Sequence, residues 1–309
     1  MKNSVIKNNS NFHSKNKHKS GYDIVALCEA YPDLSSYVFE NSFTTKTIDF
    51  ANPKAVKTLN TALLIKHYGI NFWEFPETNL CPPIPGRVDY IHHLSDLFDA
   101  SKITGDISVL DIGTGASCIY PILGYAEYQW KFTGVDIDKN SSEHAQQIIT
   151  KNGLTNSISL VHQKDKAFIF KDVLNSSDKF SAAMCNPPFY KSEEEAFNAT
   201  TRKLQGVKSL KTEVVRNFSG THNELIYKGG EKAFLHNYLY ESSLFKKQCF
   251  WFTTLVSKKE LVKGMHASLK KLGATEIKTI NMGQGNKLSR IVAWTFLTQD
   301  EQKKWVHTV

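Results

Sequence analysis

The chain of 309 residues contains no apolar run that approaches the roughly twenty residues of a membrane-spanning helix. Its first residues also lack the apolar stretch of a secretory signal. No internal repeat and no aromatic RNA-binding signature is visible. We therefore expect neither a membrane partner nor export, and the predicted location is the cytoplasm.

Cysteine is scarce, with five residues whose positions show no paired metal-binding spacing: Cys28, Cys81, Cys118, Cys185 and Cys249. Their odd number argues against a disulfide framework, so we expect reduced core thiols, with Cys118 and Cys185 inside buried elements. The adjacent residues His92 and His93 cannot share one helix face and have no third ligand nearby, which favours packing or capping roles. No metal cofactor is predicted.

Acidic residues are absent from the first twenty residues, which hold five lysines. The net charge of the whole chain is +8. The remaining residues contain 33 Lys and Arg against 30 Asp and Glu, which is a net charge of only +3. The opening stretch is rich in Asn and Ser, which predicts a disordered, mobile tail over 1–20. Such a tail can contact nucleic-acid phosphates without sequence preference. A solvated tail without a ligand is an equal alternative.

A glycine-bearing turn, Asp111-Ile112-Gly113-Thr114-Gly115, lies between a predicted buried strand over 107–110 and a predicted helix over 117–126. Its two glycines let backbone amides approach a ligand closely, and the helix start offers unpaired N–H groups. The next predicted strand, over 132–135, ends at Asp136, which is placed to accept hydrogen bonds from two ribose hydroxyls. This arrangement predicts binding of an adenosine moiety.

The third glycine of a dinucleotide-binding turn is missing, since Cys118 occupies its position. A pyrophosphate needs the pattern G-x-G-x-x-G, whereas a methionine tail does not, so the turn favours S-adenosylmethionine over NAD. A tight loop in an ordinary α/β sheet is the alternative that this turn alone leaves open.

A second motif, Asn186-Pro187-Pro188-Phe189, follows the small and apolar run 180–185, a predicted buried strand. An exocyclic adenine amine is a poor nucleophile because its lone pair is delocalised into the ring. Two acceptors on its hydrogens, the Asn186 side-chain oxygen and the Pro187 carbonyl, would aim that lone pair at a sulfonium methyl. Phe189 could then stack on the base. Alternatively, the prolines only end a strand and Phe189 fills the core.

Three stretches resemble the RlmF family of ribosomal RNA methyltransferases: NLCPPIPGRVDYIHHL over 79–94, DIGTGASCIYP over 111–121, and the Asn-Pro-Pro-Phe motif. The resemblance runs from about Tyr22 to the C-terminus, although Asn-Pro-Pro-Phe alone is shared with DNA and protein methyltransferases. It implies a class I S-adenosylmethionine-dependent methyltransferase: an α/β, Rossmann-like fold with a seven-stranded, mostly parallel sheet. Related eukaryotic enzymes act on spliceosomal and messenger RNA.

The resemblance also implies the reaction, which is methylation of N6 of one adenine in 23S ribosomal RNA, at adenine 1618 in the family. The expected cofactor is S-adenosyl-L-methionine. The expected partner is the ribosomal RNA or a large-subunit assembly intermediate, and no DNA substrate is expected.

By position, the resemblance gives Arg87 the methionine carboxylate, Asp136 the ribose hydroxyls and Asp165 the cofactor adenine. A guanidinium can bind a carboxylate bidentately, although a surface arginine and an exposed loop acid are the alternatives for Arg87 and Asp165. The predicted cofactor-binding residues are Arg87, Asp111, Gly113, Thr114, Gly115, Asp136, Asp165 and Asn186. The predicted catalytic residues are Asn186, Pro187, Pro188 and Phe189.

The predicted organisation is the tail (1–20), an N-terminal helical extension with a Pro-rich linker (21–85) and a methyltransferase domain (86–309). A hydrophobic content of 41% allows a sizeable core. Helical periodicity covers 22–30 and 53–68, with Asn52 as the cap of the second helix. Three prolines predict a stiff, extended segment over 81–86, followed by a helix over 88–99.

The second half of the chain begins with a stretch without periodicity, 191–230, which we predict to be a mobile lid over the target base. Five basic residues in it are available to phosphates: Arg202, Lys203, Lys208, Lys211 and Arg216. Helices are predicted over 231–245 and 259–272, a strand over 249–256, and a hairpin over 277–297. The basic stretch 257–290 is a second candidate RNA-facing surface.

Two other functions share these motifs. A protein glutamine N5-methyltransferase holds a side-chain amide with the same two acceptors, although such enzymes carry Tyr where this chain has Phe189. An RNA-binding or ribosome assembly factor could retain the fold without turnover, although the intact Gly113, Asp136 and Asn186 argue against it.

Overall fold

The computed structural model describes residues 11–192, 194–195, 225–284 and 287–306. The helices of this part are α1 (Ile24–Ala30), α2 (Pro53–Tyr68), α3 (Ile84–Ala100), α4 (Ile119–Tyr128), α5 (Lys139–Lys151), α6 (Gly230–Ser242), α7 (Lys259–Leu272) and α8 (Gln299–Val306). The strands are β1 (Val38–Glu40), β2 (Lys46–Ile48), β3 (Ser108–Ile112), β4 (Lys131–Asp136), β5 (Ile158–His162), β6 (Phe180–Cys185), β7 (Cys249–Val256), β8 (Glu276–Gln284) and β9 (Lys287–Thr295).

Seven strands form one sheet in the order β5-β4-β3-β6-β7-β9-β8. The first five in this order are parallel to one another, and β9 is antiparallel to both β7 and β8. The chain reverses the direction of strand addition between β3 and β6, which is where open α/β sheets bind ligands at their carboxyl ends. The predicted seven-stranded, mostly parallel sheet is confirmed.

Successive residues of the central strands point to opposite faces, and both faces are covered by helices. On one face Val109, Ala182 and Trp251 belong to a core shared with α2, α3, α4 and α5. On the other face Leu110 and Phe252 pack with α6 and α7. Because β6 and β7 are buried along their whole length, their sequences are runs of apolar and small residues without charge, which is why the sequence predicted their limits correctly.

The N-terminal extension contains the two predicted helices and an additional short hairpin of β1 and β2. The predicted cap of α2 is confirmed, since the Asn52 side chain accepts hydrogen bonds from the backbone amides of Lys54 and Ala55 at 3.0 and 3.3 Å. A 3₁₀ helix over Pro32–Tyr37 links α1 to the hairpin.

The predicted mobile tail is wrong for residues 11–20, which pack on α2 and α3, whereas residues 1–10 lie outside the described part. Asn16 and His18 are buried. The Asn16 side-chain amide donates to the Pro85 carbonyl at 3.0 Å and to the Asp89 carboxylate at 2.9 Å, and the His13 amide donates to Asp89 at 2.8 Å. Polar composition suggested solvation, but these polar groups find buried partners on the helices.

The predicted extended segment 81–86 is wrong from residue 84 onward, because α3 already begins at Ile84. Pro85 and Gly86 lie in the first turn of the helix, where no N–H is needed for an intrahelical bond. The earlier start places Arg87 inside the helix and fixes its direction.

Two helices, α5 and α8, were not predicted, whereas α7 and the hairpin of β8 and β9 were. Most of the predicted lid, residues 193 and 196–224, lies outside the described part, together with the five basic residues predicted to contact phosphates. Within the described ranges, no helix is long and apolar enough to cross a membrane.

Candidate active site

The glycine turn follows β3 and leads into α4, which begins at Ile119 and not at residue 117. Gly113 and Gly115 have φ angles of 78° and 67°, in the left-handed region that favours glycine. The amides of Gly113 and Thr114 donate to the Val135 carbonyl of β4 at 2.8 and 3.1 Å. A Cβ at Gly134 would lie 2.6 Å from the Thr114 hydroxyl oxygen, so this glycine permits the turn to lie against β4.

A cleft enclosing about 1150 Å³ of space open to solvent lies at the carboxyl ends of β3, β4, β5 and β6. Seven predicted site residues line it: Arg87, Gly113, Thr114, Gly115, Asp136, Asn186 and Pro188. Four predicted site residues do not: Asp111, Asp165, Pro187 and Phe189. The structure therefore brings together most of the cofactor set and only part of the catalytic motif.

Arg87 projects from α3 against Tyr120 of α4. A terminal guanidinium nitrogen donates to the Tyr120 hydroxyl at 3.0 Å, and the guanidinium carbon lies 5.6 Å from the centre of the Tyr120 ring. Burial raises the pKa of Tyr120 to about 12, so its hydroxyl stays neutral. The Arg87 Nε is buried and has no hydrogen-bond partner in the described part of the chain, as expected for a donor that serves a ligand.

Asp111 is completely buried behind the turn. One of its oxygens accepts from the Thr114 hydroxyl at 3.0 Å, and the other has no partner within the described ranges. Burial raises the pKa of this carboxyl to about 7, the Thr114 hydrogen bond opposes the rise, and the nearby charge of Asp136 adds to it. Asp111 thus supports the turn and contributes to the electrostatics behind the cleft.

The Asp136 carboxylate is held at the cleft wall by two backbone amides. One oxygen accepts from Gly115 at 2.8 Å and the other accepts from Asp138 at 2.9 Å. The glycine turn and the end of β4 are therefore tied together through this side chain, which lines the cleft. Its role toward a ribose stays a prediction.

The loop after β5 lines the cleft with residues that the sequence analysis missed, among them Gln163, Lys166, Phe168 and Ile169. Asp165 itself is exposed, as in the alternative of an exposed loop acid, and its carboxylate accepts from the Ala167 amide at 2.9 Å. The only sequence signal was the position of this loop at the carboxyl end of a strand.

A buried carboxylate from α6 holds this loop in place. Glu241 accepts hydrogen bonds from the amides of Ile169, Phe170 and Lys171 at distances between 2.8 and 3.3 Å. The Gln163 side chain adds a bond to the Lys171 carbonyl at 2.7 Å. The cleft wall formed by the loop is thus fixed from behind by a residue distant in sequence.

The catalytic motif begins directly after β6. The side-chain oxygen of Asn186 is buried, lies at the cleft wall, and has no hydrogen-bond partner among the described residues. Pro187 is buried, and Phe189 is half-buried away from the cleft lining. An aromatic residue that does line the cleft is Tyr227, whose amide donates to the Tyr190 carbonyl at 3.0 Å.

A family model described as RNA methyltransferase matches residues 6–298, which is most of the chain. The chain belongs to this RNA methyltransferase family. One relative is the ribosomal RNA large subunit methyltransferase F of Flavobacterium psychrophilum, 45% identical over 312 residues and covering 99% of each chain. The protein of the same name from Yersinia pseudotuberculosis is 44% identical, over 97% of this chain and 92% of the relative.

Solved structures agree with the family. The catalytic domain of hMettl16 in complex with MAT2A 3′UTR hairpin 1 has a TM-score of 0.80 at 28% identity, over 93% of this chain and 96% of that one. The N-terminal domain of human METTL16 in complex with SAH has a TM-score of 0.75 at 27% identity, over 93% and 99%. Membership in the family confirms the predicted class I fold and makes the protein an RNA methyltransferase.

In the part of the chain that the structure describes, no group of three or more His, Cys, Asp or Glu side chains could hold a metal ion. His92 packs instead against Tyr128, whose hydroxyl lies 2.8 Å from its Nδ1. All five cysteines are free thiols. Cys118, Cys185 and Cys249 are buried, as predicted for core thiols, whereas Cys28 and Cys81 are only partly buried.

Proposed function

We propose that the protein transfers a methyl group from S-adenosyl-L-methionine to N6 of one adenine in large-subunit ribosomal RNA. The observation that carries the proposal is the buried, unpartnered side-chain oxygen of Asn186 at the cleft wall. A buried acceptor without a donor is costly, and an amine N–H brought by a substrate would satisfy it. The names of the relatives support ribosomal RNA as the substrate.

The hydrogen-bond donors and acceptors that line the cleft fit the proposed cofactor. Arg87 offers an unpartnered Nε beside the glycine turn, which suits the methionine carboxylate. Asp136 would accept from the ribose hydroxyls, and the wall of Phe168 and Ile169 would flank the cofactor adenine. Bound S-adenosylmethionine supplies an electrophilic methyl group on a sulfonium sulfur.

Asn186 and Pro187 would act on the target amine. The Asn186 side-chain oxygen and the Pro187 carbonyl each accept one N–H, which favours a pyramidal nitrogen and directs its lone pair toward the methyl carbon. No base is needed before transfer, since the methylated nitrogen is positively charged and loses a proton to water readily. The catalytic motif therefore acts by orientation and electrostatics.

The target adenine must leave its stack before its amine can reach Asn186. Phe189 stays our predicted stacking residue, and Tyr227 at the cleft wall is the second aromatic candidate. The basic stretch 257–290 would contact phosphates. The family resemblance assigns the modified position to adenine 1618 of 23S ribosomal RNA.

The molecule that receives the methyl group, RNA or protein, identifies the substrate. Purified protein is incubated with labelled S-adenosylmethionine and a mixture of large-subunit RNA and ribosomal proteins from cells that lack the enzyme. Labelled N6-methyladenosine at a single position in the RNA digest is expected. Label in protein glutamine, with none in RNA, would instead establish the glutamine methyltransferase alternative.

A further inference from the structure

Strands β6 and β7 separate just before the catalytic motif. Their parallel pairing joins Phe180 to Cys249, and Ala182 and Ala183 to the residues opposite them, and ends there with Phe252. Both strands continue beyond this point, β6 to Cys185 and β7 to Val256. In this register the next ladder bond would run from the Cys185 amide to the Thr253 carbonyl.

Side-chain hydroxyl groups replace that missing ladder bond. The Thr253 carbonyl accepts from the Tyr238 hydroxyl at 3.2 Å. The backbone of Cys185 lies next to the Tyr90 hydroxyl. Tyr90 comes from α3, so a helix side chain occupies the place that a strand carbonyl would otherwise take.

The hydrogen bonds around Tyr90 have one consistent direction. The Thr253 hydroxyl donates to the Ala183 carbonyl at 3.0 Å, and its oxygen lies 2.8 Å from the Tyr90 hydroxyl oxygen. Tyr90 therefore donates to Thr253, which leaves its hydroxyl oxygen free to act as an acceptor next to the Cys185 backbone. Tyr90 and Thr253 are both completely buried, so water cannot substitute for either hydroxyl.

We propose that Tyr90 and Thr253 are positioning residues for Asn186, which directly follows Cys185. By holding the end of β6 apart from β7, they set where the Asn186 side-chain oxygen and the Pro187 carbonyl meet the amine. The proposal rests on the proposed function of these two acceptors. It adds which side chains fix the positions of the Asn186 side-chain oxygen and the Pro187 carbonyl.

The same helix also carries Arg87, one turn before Tyr90 and on the same face. The Tyr90 ring packs edge-on against Tyr120, the hydrogen-bond partner of Arg87, at a centroid distance of 5.6 Å. Helix α3 thus contacts both the predicted methionine site and the start of the catalytic motif. It fixes the separation between methyl donor and amine acceptors.

Substituting Tyr90→Phe keeps the ring and removes the hydroxyl. We expect kcat on RNA to fall about tenfold or more, because small misplacements of reacting groups have large effects, while the Kd for S-adenosylmethionine stays within about threefold. Thr253→Val should act alike, and Thr253→Ser, which retains the hydroxyl, should keep nearly full activity. The double variant Tyr90→Phe/Thr253→Val should be no worse than the slower single variant.

Thr254→Val is the matched control, because it removes an equally buried hydroxyl that bonds to the Leu255 carbonyl of β7 and not to β6. Its kcat should stay close to that of the wild type. Equal loss of kcat in Thr254→Val and Tyr90→Phe would show general packing damage and overturn the positioning role. Full activity of a folded Tyr90→Phe variant would overturn it as well.

Amide hydrogen exchange tests the contact without any substrate. In Tyr90→Phe the Cys185 amide should exchange about tenfold faster or more than in the wild type, whereas Thr254→Val should leave it unchanged. Unchanged exchange in Tyr90→Phe overturns the proposal. If the wild type transfers no methyl group to RNA, the proposed function fails, and exchange at Cys185 alone then decides the placement of the strand end.

Discussion

At the scale of single residues, the cleft is marked by buried polar atoms that lack partners in the described part of the chain. The Arg87 Nε and the Asn186 side-chain oxygen lie in its wall, and an Asp111 oxygen lies behind it. The glycine turn and the Asn-Pro-Pro-Phe motif predicted Asp111 and Asn186, whereas Arg87 was predicted from the family resemblance. The sequence could not show that Phe189 lies outside the lining of the cleft.

Asp111 should make the protein less stable as the pH rises. Its pKa of about 7 in the folded state lies above the usual aspartate value of 3.8, so the folded state binds more protons than the unfolded state between these pH values, and the stability that this provides is lost as the pH rises to 7. Asp111→Asn should therefore gain stability relative to the wild type from pH 5 to pH 8, by roughly 2–4 kcal/mol. Denaturant unfolding at both pH values measures this difference, and a difference independent of pH would contradict it.

At the scale of elements, periodicity predicted β6, β7 and α7 to the residue, whereas the long-range support of the site was not predictable. Glu241 belongs to α6 but holds the loop at 169–171. Tyr90 belongs to α3 but contacts the end of β6. Neither residue belongs to a sequence motif. The role of each depends on which elements pack together in the fold, and local sequence does not show this.

Glu241→Gln should weaken cofactor binding. The amide retains the shape, but it presents one NH₂ group to a site built from three N–H donors. We expect about tenfold weaker binding of S-adenosylmethionine, a stability loss of about 1–3 kcal/mol, and near-normal kcat at saturating cofactor. Calorimetric titration and steady-state kinetics measure both quantities.

Glu231→Gln is the matched control at the other end of α6. This buried carboxylate accepts from the amide and hydroxyl of Ser257 at 2.7 and 2.6 Å, away from the loop. It should cost stability without changing cofactor affinity. A Glu241→Gln variant with unchanged affinity and reduced kcat would be inconsistent with a role in the cofactor wall.

At the scale of the whole molecule, residues 11–20 join the N-terminal extension to the methyltransferase sheet domain. His18 lies 2.7 Å from the Tyr68 hydroxyl of α2, and His13 lies 2.7 Å from Asp96 of α3. The composition of this segment predicted solvation because Asn, His and Lys are polar. The partners that bury them lie about fifty to eighty positions away, beyond the reach of local patterns.

This packing should make the protein labile to acid. Burial lowers the pKa of His18 to about 3 and that of His92 to about 4, so the unfolded state binds more protons below about pH 6.5. Stability contributed by these residues is present above that pH and lost as the pH falls toward 4, opposite in sign to the effect of Asp111. His18→Gln should flatten the loss between pH 6.5 and pH 4 in urea unfolding, and an unchanged slope would contradict this assignment.

The central claim, that Asn186 orients the target amine, is tested most directly by single-turnover methylation of ribosomal RNA by Asn186→Ala. The exposed residue Asn175 provides the matched control variant, Asn175→Ala. We predict that Asn186→Ala loses methyl transfer by about a hundredfold or more, while its Kd for S-adenosylmethionine stays within about threefold of the wild type. Undiminished transfer, or a loss explained wholly by weaker cofactor binding, would contradict the account.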